Sequence, residues 1–220
     1  MADVIAEMTS EIVAGSIARA PLLIRQHNVQ RIFLVLDETA YEHSGARGIL
    51  EPAFDQLKIS RFTQFALNPK IQDIERGVEQ FRSFSPDWVV ALGGGTAIDL
   101  GKLIGALAPQ SHSPRDLVTG RAMLESPGRP LVAIPTTAGT GSEATHFAVA
   151  YVEGQKYSLA HRWLLPNFSI VDPLLTHSLP PALTAATGLD AFCQAIESIW
   201  AVSATDESLG YATEAARLAI

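Results

Sequence analysis

The chain has 220 residues, 47% hydrophobic and 18% charged, which excludes an intrinsically disordered protein. Sixteen Lys and Arg against 23 Asp and Glu give a net charge of -7, which argues against a nucleic-acid binder with a basic face. Cys193 is the one cysteine, so an internal disulfide framework and a cysteine-based zinc cage are excluded. Residues 1–7 lack the basic start and apolar core of a signal peptide. No run of about 18 uncharged apolar residues offers a membrane span, so a soluble, cytoplasmic protein is the expectation.

Arg31–Leu36 is the first strand expected, a nearly continuous apolar run of the kind covered on both faces. Asp37 ends it. Residues 61–65 read as a weaker strand. Asn68 and Pro69 open a helix over Ile71–Phe84, with apolar residues at 71, 74, 78 and 81. Residues 88–92 form another buried strand, broken by Gly93, Gly94 and Gly95, and a helix follows over 96–108. Residues 131–134 read as a strand ended by Pro135, and Phe147–Val152 and 169–171 as two further short strands. The alternation of strand and helix predicts an α/β fold with a mainly parallel sheet. The character changes at Leu179, Pro180 and Pro181. Residues 182–220 carry no good strand run, are dominated by Ala, Leu, Ile and Glu, and read as helical. The division expected is an α/β domain over 1–179 and the beginning of a helical domain over 180–220. The pattern over 211–220 has no stop signal, so an incomplete helical domain is expected.

Three polar features lie at the ends of expected strands, where ligands bind in open α/β sheets. Gly93-Gly94-Gly95-Thr96 with Asp99 places a glycine turn at the start of a helix. Glycines allow close backbone approach to a phosphate, and the helix offers free N–H groups and a positive dipole end. The alternative is a tight strand-to-helix turn with Thr96 as the N-cap. The G-x-G-x-x-G fingerprint fails because position 98 is Ile, and no P-loop spacing is present. Residues 135–143 hold four hydroxyls, Thr136, Thr137, Thr140 and Ser142, with Gly139 and Gly141. Such a loop can wrap a polar ligand, although Ser, Thr and Gly are common in any loop. Asp37 can accept the hydroxyls of an adenosine ribose and repel a 2′-phosphate, favouring NAD(H) over NADP(H), or it is an ordinary turn residue. A fourth feature lies in the helical part. Asp190 and Gln194, four residues apart, lie on one helix face, as do Asp190 and Glu197, and could hold a divalent cation or simply form a polar face.

Taken in this order, the four features resemble the iron-containing (group III) alcohol dehydrogenase family, of the dehydroquinate-synthase-like fold. Residues 91–99 match the family's G-G-G-S-x-x-D loop, with Thr96 for the usual Ser, and residues 134–143 match its second loop. Asp172-Pro173, Leu179-Pro180-Pro181 and Gly188-Leu189-Asp190-Ala191 continue the match. The resemblance implies an N-terminal dinucleotide-binding domain, a helical metal-binding domain and a homodimer. Lys156 fits a lysine that contacts the nicotinamide-side ribose in relatives. The implied reaction is the NAD(P)H-dependent interconversion of an aldehyde and a primary alcohol, assisted by Fe2+ or Zn2+. Family members take metal ligands from a Gly-x-Asp-Ala-x-x-x-His helix; Asp190 carries over, and Gln194 stands at the His position. None of His112, His146, His161 or His177 takes the place of the two later family histidines.

A narrower likeness is to the phosphonoacetaldehyde reductase branch. It rests on Tyr41-Glu42-His43-Ser44-Gly45-Ala46-Arg47, on residues 143–151 and 156–161, and on Cys193-Gln194-Ala195-Ile196-Glu197-Ser198. In that branch Gln194 is a regular feature. The implied substrate carries a dianionic head, for which His146 and His161 are candidates beside a purely structural role. Two other classes stay open: a dehydroquinate-synthase-like lyase, and a non-catalytic nucleotide-binding fragment.

Overall fold

A computed structural model describes residues 9–220; residues 1–7, read above for a leader, lie outside the described residues. In chain order the elements are β1 (Thr9–Ile12), α1 (Ala20–Gln26), β2 (Arg31–Leu36), α2 (Glu38–His43), α3 (Ala46–Phe54) and β3 (Lys58–Phe62). Then come α4 (Ile71–Phe84), β4 (Trp88–Gly93), α5 (Gly95–Leu107), α6 (Pro114–Val118), β5 (Leu131–Pro135), β6 (Phe147–Val152) and β7 (Gln155–Ala160). The chain closes with β8 (Phe168–Val171), α7 (Pro181–Ile199) and α8 (Asp206–Leu218).

Six strands form one sheet in the order β1-β8-β5-β4-β2-β3, and every pairing in it is parallel. The alternation of side chains along β2 explains its continuous apolar run. Phe33 and Val35 enter a core with α4, α5 and β6, whereas Ile32, Leu34 and Leu36 enter a second core with α1 and α3. β4 divides in the same way, with Val89 and Ala91 on one side and Val90 and Leu92 on the other. Full burial of each such aliphatic side chain contributes about 1.5–3 kcal/mol, so the two central strands anchor the molecule.

The strand expected at 61–65 lies at Lys58–Phe62 instead. It is an edge strand with only Phe62 buried, so it lacks the apolar alternation that fixes a register from sequence. Pro135 is the last residue of β5 and pairs with Gly93. The β6–β7 pair is an antiparallel hairpin outside the main sheet. Its two-residue turn is Glu153-Gly154, with φ of 53° and 83°, the left-handed pair that a type I′ turn demands. β6 buries Ala148, Ala150 and Val152 against the core that contains α5.

The stretch read as helical from 182 is two helices, packed on one another. Pro181 opens α7, and Thr205 opens α8 through a reciprocal capping box with Ser208. Leu189, Trp200, Tyr211 and Leu218 are exposed on this pair. Among the described residues, no helix is long and apolar enough to cross a membrane.

Candidate functional site

The strand order reverses direction between β2 and β4. From β2 the chain moves outward to β3, and from β4 it moves the other way to β5. Ligands of open α/β sheets sit in the crevice that such a switch opens beyond the carboxyl ends of the strands. Asp37 follows β2, Gly93–Gly95 close β4, and Thr136 follows β5, so the sequence-selected residues meet at this one edge. The backbone ties them together: the Asp37 N–H donates to Leu92 O at 3.1 Å and the Thr136 N–H to Gly93 O at 3.0 Å.

Gly93 has φ of 145°, and a Cβ there would lie 2.8 Å from the Ala97 Cβ and 2.9 Å from the Asp37 Cβ. Only glycine fits between the two. A Cβ at Gly94 would touch the Thr137 side chain at 3.4 Å, and one at Gly95 would meet Thr140 Cγ2 at 3.0 Å. The glycine turn and the threonine loop therefore face each other at van der Waals distance. Gly94, in extended backbone, is the N-cap residue of α5. Thr96 lies inside the helix, which corrects the alternative of Thr96 as the cap. Its hydroxyl accepts from the Asn68 N–H at 3.2 Å. This 13-residue helix begins at the turn, so its positive dipole end lies there. Thr136 is buried and its hydroxyl lacks a hydrogen-bond partner. Asp37 caps α2, its Oδ1 accepting from the Ala40 N–H at 3.0 Å.

Below the turn lies a polar cluster. Asp99 Oδ1 accepts from the Ser142 hydroxyl at 2.5 Å, and its Oδ2 accepts from the Val149 N–H at 3.0 Å. Burial raises the Asp99 pKa above the usual carboxylate range, while Ser142, the Val149 N–H, Lys102 and Lys156 oppose the rise. Asp99 and Ser142 are thus turned toward each other. Lys102, one turn further along α5, is 2% exposed. Its ammonium donates to Phe147 O at 2.9 Å and to Thr145 Oγ1 at 3.0 Å. Burial lowers its pKa to about 8, against the pull of Asp99 and Glu143. Sequence reasoning missed Lys102. The available signal was a lysine in an otherwise apolar helix, at i+3 from Asp99 and so on the same face.

Lys156 is exposed on β7, near enough to Asp99 to act on its charge. Asp190 and Gln194 are exposed on α7, and the Gln194 amide donates to Asp190 Oδ2 at 2.8 Å. They supply two side-chain ligands, and a cation between them requires the amide to turn its oxygen inward. Among the described residues, no three His, Cys, Asp or Glu side chains gather as a metal cage. His161 Nδ1 accepts from the Trp163 N–H at 3.2 Å, capping a short 3₁₀ turn. Burial, then Arg162, lowers its pKa. α7 approaches the threonine loop closely: a Cβ on Gly139 would lie 2.3 Å from Thr187 O. An open depression of 410 Å³ between loop and helices is lined by Gly139, Gln194, Ser198, Ser208 and Tyr211.

Residues 10–173 match the family model described as iron-containing alcohol dehydrogenase. The chain belongs to that family. It is 42% identical over 159 residues to long-chain-alcohol dehydrogenase 1 of Geobacillus thermodenitrificans, covering 71% of this chain and 40% of the relative. It is 36% identical over 180 residues to 4-hydroxybutyrate dehydrogenase of Cupriavidus necator, covering 79% of this chain and 46% of the relative. Among solved structures, sulfoacetaldehyde reductase from Bifidobacterium kashiwanohense in complex with NAD+ superposes with a TM-score of 0.89 at 31% identity, covering 96% of this chain and 57% of that one. NADH-dependent butanol dehydrogenase A of Thermotoga maritima shares the fold, with a TM-score of 0.87 at 21% identity, covering 97% of this chain and 54% of that one. The chain thus spans under half of these curated relatives and little more than half of these solved structures.

Proposed function

We propose that this chain is the dinucleotide-binding part of an NAD(H)-dependent alcohol dehydrogenase that interconverts a small aldehyde and a primary alcohol. The observation that carries the reading is the meeting of the glycine turn, the threonine loop and Asp37 at the β2–β4 switch point. Gly94, Gly95 and the α5 N-terminus would hold the pyrophosphate, with hydroxyls from Thr96, Thr137 and Thr140 available beside it, while Thr136 is buried. Asp37 keeps a carboxylate where an adenosine ribose belongs, which favours NAD(H) over NADP(H). Asp99 and Ser142 support the loop, and Lys156 stands on the hairpin that flanks it.

Nicotinamide dinucleotide, when bound, supplies or accepts the hydride. Asp190 and Gln194 would contribute to holding a divalent metal, which polarises a carbonyl. The domain division follows the same reading, with 1–179 for the dinucleotide and α7 and α8 opening the metal-binding part. For the substrate we infer a short aldehyde with an anionic head, phosphonoacetaldehyde being the candidate. The support is the likeness to a sulfoacetaldehyde reductase, together with residues 41–47 and 193–198, which resemble the phosphonoacetaldehyde reductase branch. Within the family a homodimer is the assembly proposed, in the cytoplasm.

The deciding experiment is a fluorescence titration of the chain with NADH and with NADPH. Saturable NADH binding, tighter than NADPH, is expected. No binding of either dinucleotide overturns the reading and leaves the turn as a fold element only.

A further inference from the structure

Asp99 and Lys102 sit one turn apart on α5, and both reach away from the helix into the chain that follows the threonine loop. Asp99 takes the Ser142 hydroxyl and the Val149 N–H, at 2.5 and 3.0 Å. Lys102 takes Thr145 Oγ1 and Phe147 O, at 3.0 and 2.9 Å. The four partners span both ends of the connection between the loop and β6. α5 also carries the glycine turn at its N-terminus, so one rigid helix holds both walls of the crevice.

We propose that Asp99 and Lys102 form a two-point latch that fixes the threonine loop against the glycine turn, making Lys102 a positioning residue for the dinucleotide. This rests on the dinucleotide reading above. Stability alone does not call for a lysine here: a buried ammonium is costly, and a methionine would fill similar space without charge. The charge is useful because an ammonium binds both acceptors more strongly than a neutral group does. Around Lys102 the facing charges are Asp99 on α5 and Glu143 on the loop, while Lys156 on β7 faces Asp99. The lowered Lys102 pKa of about 8 then lets mildly alkaline solution loosen the latch.

The test compares the parent chain with Lys102→Met by NADH titration across pH 7 to 9.5 and by amide hydrogen exchange over residues 139–149. We expect Lys102→Met to weaken NADH at least tenfold at pH 7 and to speed loop exchange at least tenfold, while circular dichroism shows it folded. Parent affinity should fall as pH rises through about 8, and the variant should show a flat profile. An NADH dissociation constant within twofold of the parent, with unchanged loop exchange, overturns the latch. If Lys102→Met does not fold, Thr145→Val and Thr145→Ser decide: the first should weaken NADH about fivefold and the second should restore it. Equal binding by Thr145→Val overturns the proposal. If the parent binds no dinucleotide, the site reading fails, and the exchange comparison alone decides the latch.

Discussion

Single residues at the crevice separate ligand effects from fold effects. Gly94 lies in extended backbone with φ of -75°, and a Cβ there meets protein no closer than 3.4 Å. Gly94→Ala is therefore tolerated by the fold, and its methyl intrudes only on a bound phosphate. NADH affinity should fall at least tenfold at an unchanged melting temperature, checked by fluorescence titration and circular dichroism. Gly95→Val is a poorer probe because it also strikes Thr140, 3.0 Å from the first added carbon. Asp37 has two roles, since it also caps α2. Asp37→Asn keeps a capping oxygen and removes the charge, whereas Asp37→Ala also costs about 1 kcal/mol of helix capping. The asparagine variant should lose about tenfold in its preference for NADH over NADPH, read as the ratio of the two dissociation constants. On α7, Gln194→His gives an imidazole one helical turn from Asp190, a better transition-metal donor than an amide. Calorimetry with Zn2+ should show weak or absent binding by the parent and tighter binding by the variant. Parent binding as tight as the variant's would show that Gln194 is already an effective ligand.

At the scale of elements, the threonine loop lies between α5 and α7. Gly139, with φ of 150°, lets the Thr187 carbonyl come so close that an added Cβ would lie 2.3 Å from it. Gly139→Ala must bend the loop or push α7 away, and an unfavourable φ adds strain of order 1–3 kcal/mol. For a chain of this size, 1 kcal/mol corresponds to roughly 2–4 °C in melting temperature. A fall of about 4–8 °C is expected for a penalty near 2 kcal/mol, measured by calorimetry. An unchanged melting temperature would mean that α7 does not rest on the loop in solution. The boundary between α7 and α8 is set locally, by the Thr205–Ser208 capping box.

Across the whole molecule, the buried cluster on α5 makes stability depend on pH. Lys102 has a pKa of about 8 folded against 10.5 for an ordinary lysine, so the unfolded chain binds more protons between these values. Stability from this group therefore rises as pH increases from about 8 to 10.5, by an amount of order 3 kcal/mol. Below pH 8 the full cost of the buried ammonium is present. Asp99 has the opposite sign: its raised pKa means that stability falls as pH rises from the ordinary carboxylate value through its folded titration. Urea midpoints of the parent and Lys102→Met between pH 7 and 10 isolate the lysine. The parent should gain stability relative to the variant over that interval, and parallel curves would show that the ammonium is not buried.

The strands that build both cores were legible in the sequence, because residues buried on two faces must be apolar throughout. β2, β4 and β5, and the strong 3.6-residue pattern of α4, follow from that requirement alone. The glycine turn and the threonine loop were also legible, since their composition is unusual at a strand end. The edge strand β3 and the hairpin strand β7 were not, because one exposed face relaxes the pattern and Glu153-Gly154 is a less familiar turn pair than Asn-Gly. The short helices α1, α2, α3 and α6 carry too few turns to show a period. Only the tertiary structure decided that Gly93, Asp37 and Thr136 are neighbours, because parallel pairing brings together strand ends that lie far apart in sequence. It also decided which polar residues face the crevice and which face each other. Asp99 turns to Ser142 and Val149, and Lys102 disappears beneath the loop, because hydrogen-bond partners distant in sequence determine where a buried charge can rest.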